Sequence, residues 1–260
     1  SALYGANAFN GIIFMTSKNP FDFPGVSAYV KQGVTSQDVA GTNPFTDLGV
    51  RLAHKFSDKF AAKVNFSYLT GTDWHAASEE DVLNPGRDRS HPNYDGLNIY
   101  GDEVSTNLRG VGVALANLDP PLIPPGAENL LPSEPVSRTG YLEESLTDYN
   151  AESIKFDGAL HYRPFADDFE VSYVGKAGWG TTIYQGANRY SIKDFFLQQH
   201  KLEFKNNNFF VRGYITDEDA GDSYDMRFTA ININRMWKPD RQWFGEYAGA
   251  FIQSTLLGLN

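Results

Sequence analysis

The chain has 260 residues, enough for one large or two ordinary domains, with no cysteine and a formal net charge of −10. Lack of cysteine removes disulfides, thiolate metal sites and cysteine nucleophiles together, and the acidic balance argues against a nucleic-acid surface, which needs clustered Lys and Arg. No apolar run approaches the roughly 18 to 20 residues of a membrane helix; a mean hydropathy of −0.40 still leaves room for a β-barrel, whose alternating strands average out.

The first twenty residues pass from a small-residue segment through an Asn10-Gly11 turn signal to an apolar run, Ile12 to Met15, and a polar stop at Thr16 to Pro20. This order predicts a turn feeding a strand buried on both faces. With no initiator Met or signal peptide ahead of it, the chain is expected to lack an upstream part. Leu3-Tyr4-Gly5, Asn10-Gly11-Ile12-Ile13 and Thr16-Ser17-Lys18 together resemble the last plug strand of TonB-dependent outer-membrane transporters, although Phe14 and Met15 stand where that family often has smaller aliphatics. The resemblance implies that residues 1–18 end a plug domain, 19–25 form the plug-to-barrel linker, and 26–260 are the first part of the barrel.

Phe21-Asp22-Phe23-Pro24-Gly25 cannot continue a central strand. Val26, Ala28 and Val30 then alternate with Ser27, Tyr29 and Lys31, a first strand fading near Gly33, and Thr35 to Thr46 are expected to form a medium loop. Leu48, Val50, Leu52 and Phe56 share one face opposite Asp47, Arg51 and Lys55; after Ser57-Asp58-Lys59 the pattern resumes through Phe60, Ala62, Val64, Phe66 and Tyr68. That is an antiparallel hairpin with a tight turn, and His54 beside the turn fits an interfacial position. About 72–148 reads as a large, proline-punctuated loop with one short helix around Thr106 to Asn117.

Alternation returns over Ile154 to Tyr162, Phe169 to Ile183, a strand ending at Leu202 to Phe204, and Phe209 to Ile215, with turns at Pro164 to Asp168 and Asn206 to Asn208 and a loop around Gly186 to Asp194. About 217–260 reads as loop again. Asp95 to Val104, Asn208 to Arg212 and Gly221 to Tyr224 resemble segments of Bacteroidota-type members of the same family.

Two asymmetries favour a membrane barrel over a soluble sandwich. Short turns at one end are expected to alternate with long loops at the other, as when the turns are periplasmic and the loops extracellular. Each short turn is also bracketed by rings (Phe56 and Phe60; Tyr162, Phe165 and Phe169; Phe204 and Phe209), with Tyr68, Trp74, Tyr149, Trp179 and Tyr184 as the upper girdle. The fold expected is all-β: a partial antiparallel transmembrane β-barrel of about seven strands, the last plug strand and long outer loops. Seven strands cannot close such a barrel, because open edges in lipid leave backbone groups unpaired at several kcal/mol each.

Catalytic signatures are missing: there is no GxxxxGK[ST], HExxH or GxSxG, and the five histidines stand far apart. No enzymatic activity or cofactor is expected. Asp217, Asp219, Asp222 and Asp225 offer hard oxygens suited to Ca²⁺ in an outer loop, although Gly221 departs from the EF-hand pattern. Candidate substrate contacts are the loop and upper-strand aromatics Trp74, Tyr94, Tyr100, Tyr184, Tyr190, Trp237 and Trp243, since rings at a pore mouth can stack on sugars or grip apolar ligands. The resemblance implies active uptake of a scarce nutrient (siderophore, oligosaccharide or peptide) across the bacterial outer membrane. Its implied partners are lipid and lipopolysaccharide, TonB through an upstream segment, and a surface lipoprotein. A passive porin-like or structural barrel, or a soluble carbohydrate-binding β domain, are the alternatives.

Overall fold

The structure, a computed structural model, describes residues 16–165 and 168–259. The Ile12 to Met15 strand expected at the end of the plug lies outside the described residues. The elements are β1 Gly25–Gln37, β2 Gly41–Lys55, β3 Phe60–Thr72, β4 Ile99–Tyr100, β5 Ser105–Asn107, α1 Leu108–Ala116, β6 Pro135–Ser137, β7 Tyr141–Leu142, β8 Asn150–Tyr162, β9 Glu170–Gln185, β10 Arg189–Lys205, β11 Phe210–Asp219, β12 Tyr224–Asp225, α2 Met226–Trp237 and α3 Asp240–Leu256.

One large antiparallel sheet dominates, in the order β1-β2-β3-β8-β9-β10-β11, with β12 pairing the start of β10. Seven main strands is the number read from the alternation. The sheet does not close on itself: among the described residues β1 and β11 each pair on one side only. Every step along it joins neighbours through an antiparallel register, so residues set opposite one another share a face.

That register sorts the side chains. One face carries Val26, Ala28 and Val30 on β1, Val50 and Leu52 on β2, Val64 and Phe66 on β3, Phe156 and Leu160 on β8, Val171 and Tyr173 on β9, Leu202 and Phe204 on β10, and Val211 and Ile215 on β11. The other carries Arg51, Lys63, Asn65, Lys155, Asp157, His161, Ser172, Lys176, Lys201, Glu203 and Arg212. Burial runs opposite to that of a water-soluble sheet: Phe156 and Leu160 are 49% and 48% exposed, whereas Lys63 and Glu170 are 5% and 2% exposed.

Turns at the lower edge touch one another. Lys59 Nζ donates to the Pro164 carbonyl at 3.2 Å, and Asp168 accepts from the Asn207 amide at 2.7 Å. Two of the expected ring brackets include a contact, Phe56 stacked on Phe60 at 5.4 Å and Phe165 against Phe169 at 5.9 Å, and Phe169 meets Phe209 of the next turn at 6.5 Å.

Three expectations need correction. Thr35 to Thr46 is not a loop: β1 and β2 run on to a turn at Asp38 to Ala40, and Pro44 sits on β2 above Thr46, where pairing with β3 begins, so β2 is paired on one side only there and a missing N–H is tolerated. Likewise β10 begins at Arg189, with a bulge between Ile192 and Phe195 that places Asp194 at φ 54°. Turns and loops therefore do not alternate strictly, because two upper connections are tight hairpins.

The third correction concerns 217–260. Instead of a loop, β11 runs to Asp219 and α2 and α3 follow, α3 burying Phe244, Ala248 and Ile252 on one stripe at helical spacing. The short helix expected around Thr106 to Asn117 is α1, capped by Asn107, whose side chain accepts from the Gly110 amide at 2.9 Å. Leu108, Ile123, Leu131 and Val136 pack on Ala248 and Ile252, so the long loop and the C-terminal helices build one cap over the sheet. Tyr100, Met226 and Ala230 form a second cluster beside Ile183 of β9, seating the cap on the strands.

Candidate functional site

Two places gather polar chemistry. The first is the lower part of the polar face, where residues 17–23 lie against the sheet. Lys63 Nζ donates to Ser17 Oγ at 2.6 Å and to the Lys18 carbonyl at 2.5 Å, and Arg51 donates to the Phe23 carbonyl at 2.7 Å. Asn19 Nδ2 lies 3.0 Å from both oxygens of Glu170, which also accepts from Arg163 at 2.9 Å and pairs with His161 Nδ1 at 3.0 Å and Lys205 at 3.5 Å. The Arg163 guanidinium sits 4.1 Å above the ring of Phe21, which is buried with Pro20. A buried carboxylate needs several donors to offset its lost hydration, and here four side chains supply them.

The second place is a cleft of about 190 Å³ in the cap, lined by Arg89, His91, Tyr94, Asp102, Trp243 and Tyr247 among others. Trp243 stacks on Tyr247 at 5.4 Å, and the Arg138 guanidinium covers its ring at 5.5 Å. Arg138 is itself buried and satisfied by Asp240 at 2.6 Å and by the carbonyls of Asn234 and Lys238. Asp102 is buried; one oxygen accepts from the Gly96 amide at 3.0 Å, and Oδ1 has no partner. Burial pushes its carboxyl up to about 7, with Glu103 and Asp95 adding to the rise and the Gly96 amide opposing it.

Of the seven candidate aromatics, the structure brings Tyr94 and Trp243 into this cleft. Tyr94 is buried and its hydroxyl donates to the Glu79 carbonyl at 2.6 Å. Tyr100 is an anchor of the cap: it is buried, its hydroxyl donates to Glu143 at 2.8 Å, and burial followed by that hydrogen bond pushes its phenol up. Tyr184 and Tyr190 are register partners with rings 6.0 Å apart. Trp74 is exposed, its carbonyl accepting from Arg189 at 2.8 Å, and Trp237 is exposed at the end of α2 beneath Lys238. Tyr149, expected in the upper girdle, stacks on His75 at 3.4 Å.

Three of the four acids expected to offer oxygens to Ca²⁺ accept hydrogen bonds through their side chains. Asp217 accepts from Gln198 at 3.1 Å and Asp219 from the Gly221 amide at 2.9 Å. Asp225 caps α2 through the Phe228 amide at 3.0 Å and accepts from Asn188 at 2.7 Å, while the Asp222 amide donates to the Lys193 carbonyl. Among the described residues no three His, Asp or Glu side chains come together to hold a metal.

Sequence reading missed the Asn19–Glu170–Lys63 anchor and the buried Glu143–Arg189 pair, whose two contacts are both 2.7 Å. The available signal was parity: Lys63 falls on the polar side of β3, Arg163 follows β8 at the same parity as its polar residues, and Glu170 opens β9. No family model matches the chain, and no curated protein matches it.

Proposed function

We propose that the chain is part of a plugged outer-membrane β-barrel that takes up a scarce nutrient, driven from the periplasm through TonB. The observation that carries this reading is the reversed polarity of the sheet. Large apolar side chains project from the open face of seven strands while charges gather on the other. In water a contiguous apolar face of this kind is unusual for a monomer; in a bilayer it is the outward band of a barrel whose interior is wet. The rows of rings at the lower turns suit the headgroup boundary. Strands of 13 residues at about 3.3 Å each exceed the 9 to 11 needed to cross.

Residues 17–23 favour a plugged barrel over an open porin, because they enter along the polar face and are tied there by Lys63, Arg51 and Glu170. The cap lies at the extracellular end, where its cleft meets solutes first, and lipopolysaccharide and a surface lipoprotein are the neighbours expected there.

Reconstitution of the intact protein in planar bilayers tests the reading. A plugged transporter shows no steady conductance until the plug is loosened by urea, and its uptake in cells stops when TonB is deleted. Steady conductance from the outset together with TonB-independent uptake identifies a passive pore.

A further inference from the structure

The chain is acidic overall, yet the polar face of the sheet is not. Along β2, β3, β8 and β9 it presents Arg51, Lys63, Lys155 and Lys176, placed across adjacent strands by the pairs Arg51↔Asn65, Lys63↔Ala159, Ser67↔Lys155 and Asp157↔Lys176. The other cations of that face are matched: Lys31 by Asp47 at 2.9 Å, Arg212 and Lys201 by Glu203 at 2.5 and 3.8 Å, and Lys205 by Glu170 at 3.5 Å. Among the described residues none of Arg51, Lys63, Lys155 and Lys176 has a carboxylate within the 4.0 Å of an ion pair. Two acids lie among them: Asp157 accepts from Asn65 at 2.7 Å, and Asp47, which also feels the charge of Lys155, is paired with Lys31. Counting Lys31, five cations against two anions leave this patch short of negative charge.

The patch borders a cleft of about 240 Å³, lined by Tyr29, Gly49, Arg51, Asn65, Lys155 and Asp157 among others. Its far wall is fixed. The Tyr29 ring lies flat over Gly49, where a Cβ would stand 2.5 Å from Cε1, and its hydroxyl is held by Asp47 at 3.0 Å. Arg51 uses one nitrogen on the Phe23 carbonyl at 2.7 Å, which leaves donors of its five N–H groups for another oxygen. At roughly 30 Å³ per water the space holds about eight waters, the size of a small multivalent anion.

We propose that this cleft binds a small soluble oxyanion, a polycarboxylate or a phosphate compound, whose oxygens are held by Arg51 and Lys155 with Lys176 supplying further positive field. Charge-assisted hydrogen bonds from guanidinium and ammonium are the strong ones for such groups, and a wall with few acids concentrates anions ahead of binding. The inference rests on the reading of the polar face as the wet interior of a barrel, and it gives that interior a substrate class.

The test uses the intact protein in detergent at low ionic strength, titrated calorimetrically with citrate and, separately, with pyrophosphate. Saturable binding of either is expected, with the better ligand distinguishing carboxylate from phosphate. Arg51→Gln and Lys155→Gln should each weaken it about tenfold, the loss of one charge-assisted hydrogen bond. Among the described residues the Lys155 side chain makes no hydrogen bond, so if Arg51→Gln fails to assemble, Lys155→Gln decides alone. No saturable binding of either anion, or equal binding by wild type and Lys155→Gln, overturns the proposal. Because binding is read without transport or lipid, either result leaves the membrane reading to its own test.

Discussion

The side-chain amide of Asn19 stands 3.0 Å from both carboxylate oxygens of Glu170, joining residues 151 positions apart in sequence. Through it the segment before β1 is fastened to the start of β9, across the polar face of the sheet. Asn19 also orders its own segment, its side-chain oxygen accepting from the Phe21 amide at 3.0 Å and its carbonyl from the Phe23 amide at 2.9 Å.

Asn19→Ala should release this segment. Losing hydrogen bonds to a charged, buried partner costs about 1.5 to 3 kcal/mol, so the Phe21 and Phe23 amides should exchange with deuterium at least tenfold faster while the strand amides keep their protection. Unchanged exchange at Phe21 would show that Lys63 and Arg51 hold the segment without Asn19.

On the apolar face, Phe156→Arg should destabilise the protein in liposomes by about 2 to 4 kcal/mol, the cost of a cation at mid-bilayer depth. Ser67→Arg, one strand away on the polar face, should shift the urea midpoint little. Equal midpoints for the two variants would count against lipid on the apolar side.

Glu143 joins the cap to the sheet. It receives both contacts from Arg189, the Tyr100 hydroxyl at 2.8 Å and the Ala76 amide at 3.1 Å. Glu143→Gln leaves the Arg189 guanidinium buried without its counter-charge, a loss of about 3 to 5 kcal/mol. Tryptophan fluorescence, with Trp74 and Trp243 both in the cap, should report a lower cap melting temperature, with the sheet transition in its original place.

The seven strands, the apolar and polar parities, the lower turns and α1 were legible because each follows a period of 2.0 or 3.6 over enough residues to be counted. Pro44 and Asn43 hid the upper end of β2, since composition cannot tell a strand end paired on one side only from a loop. The stripe Phe244, Ala248, Ile252 was present but diluted by Gly245, Gly249 and polar neighbours, so α3 takes its stability from α1 rather than from its own pattern. The contacts of Glu170 with Asn19 and of Glu143 with Arg189 span 151 and 46 positions, and no local signal announces a partner at that separation. Tyr94 and Trp243 were picked out as aromatics in loops; that they share a cleft depends on helices not foreseen.

Asp102 should make the cap pH-sensitive. Its folded carboxyl titrates at about 7 and its unfolded one near 3.9, so between these values the folded state alone binds the proton. Cap stability is therefore greatest below about pH 4 and falls as pH rises through 7, by up to about 4 kcal/mol. Asp102→Asn, which mimics the protonated form and keeps an acceptor for the Gly96 amide, should flatten the profile in a thermal-melt series from pH 4 to 8. A slope that persists in the variant would assign it to Asp95 and Glu103, whose carboxyls burial also pushes up.

The most direct test of the membrane reading is spin labelling of adjacent positions on β3 and β8 in proteoliposomes: Val64 and Leu160 on the apolar face, Ser67 and Lys155 on the polar one. Power saturation compares collision with oxygen, which partitions into lipid, and with a water-soluble nickel chelate. A barrel wall predicts oxygen-rich, chelate-poor labels at 64 and 160 and the reverse at 67 and 155. Labels at 64 and 160 as accessible to the chelate as those at 67 and 155 would contradict it.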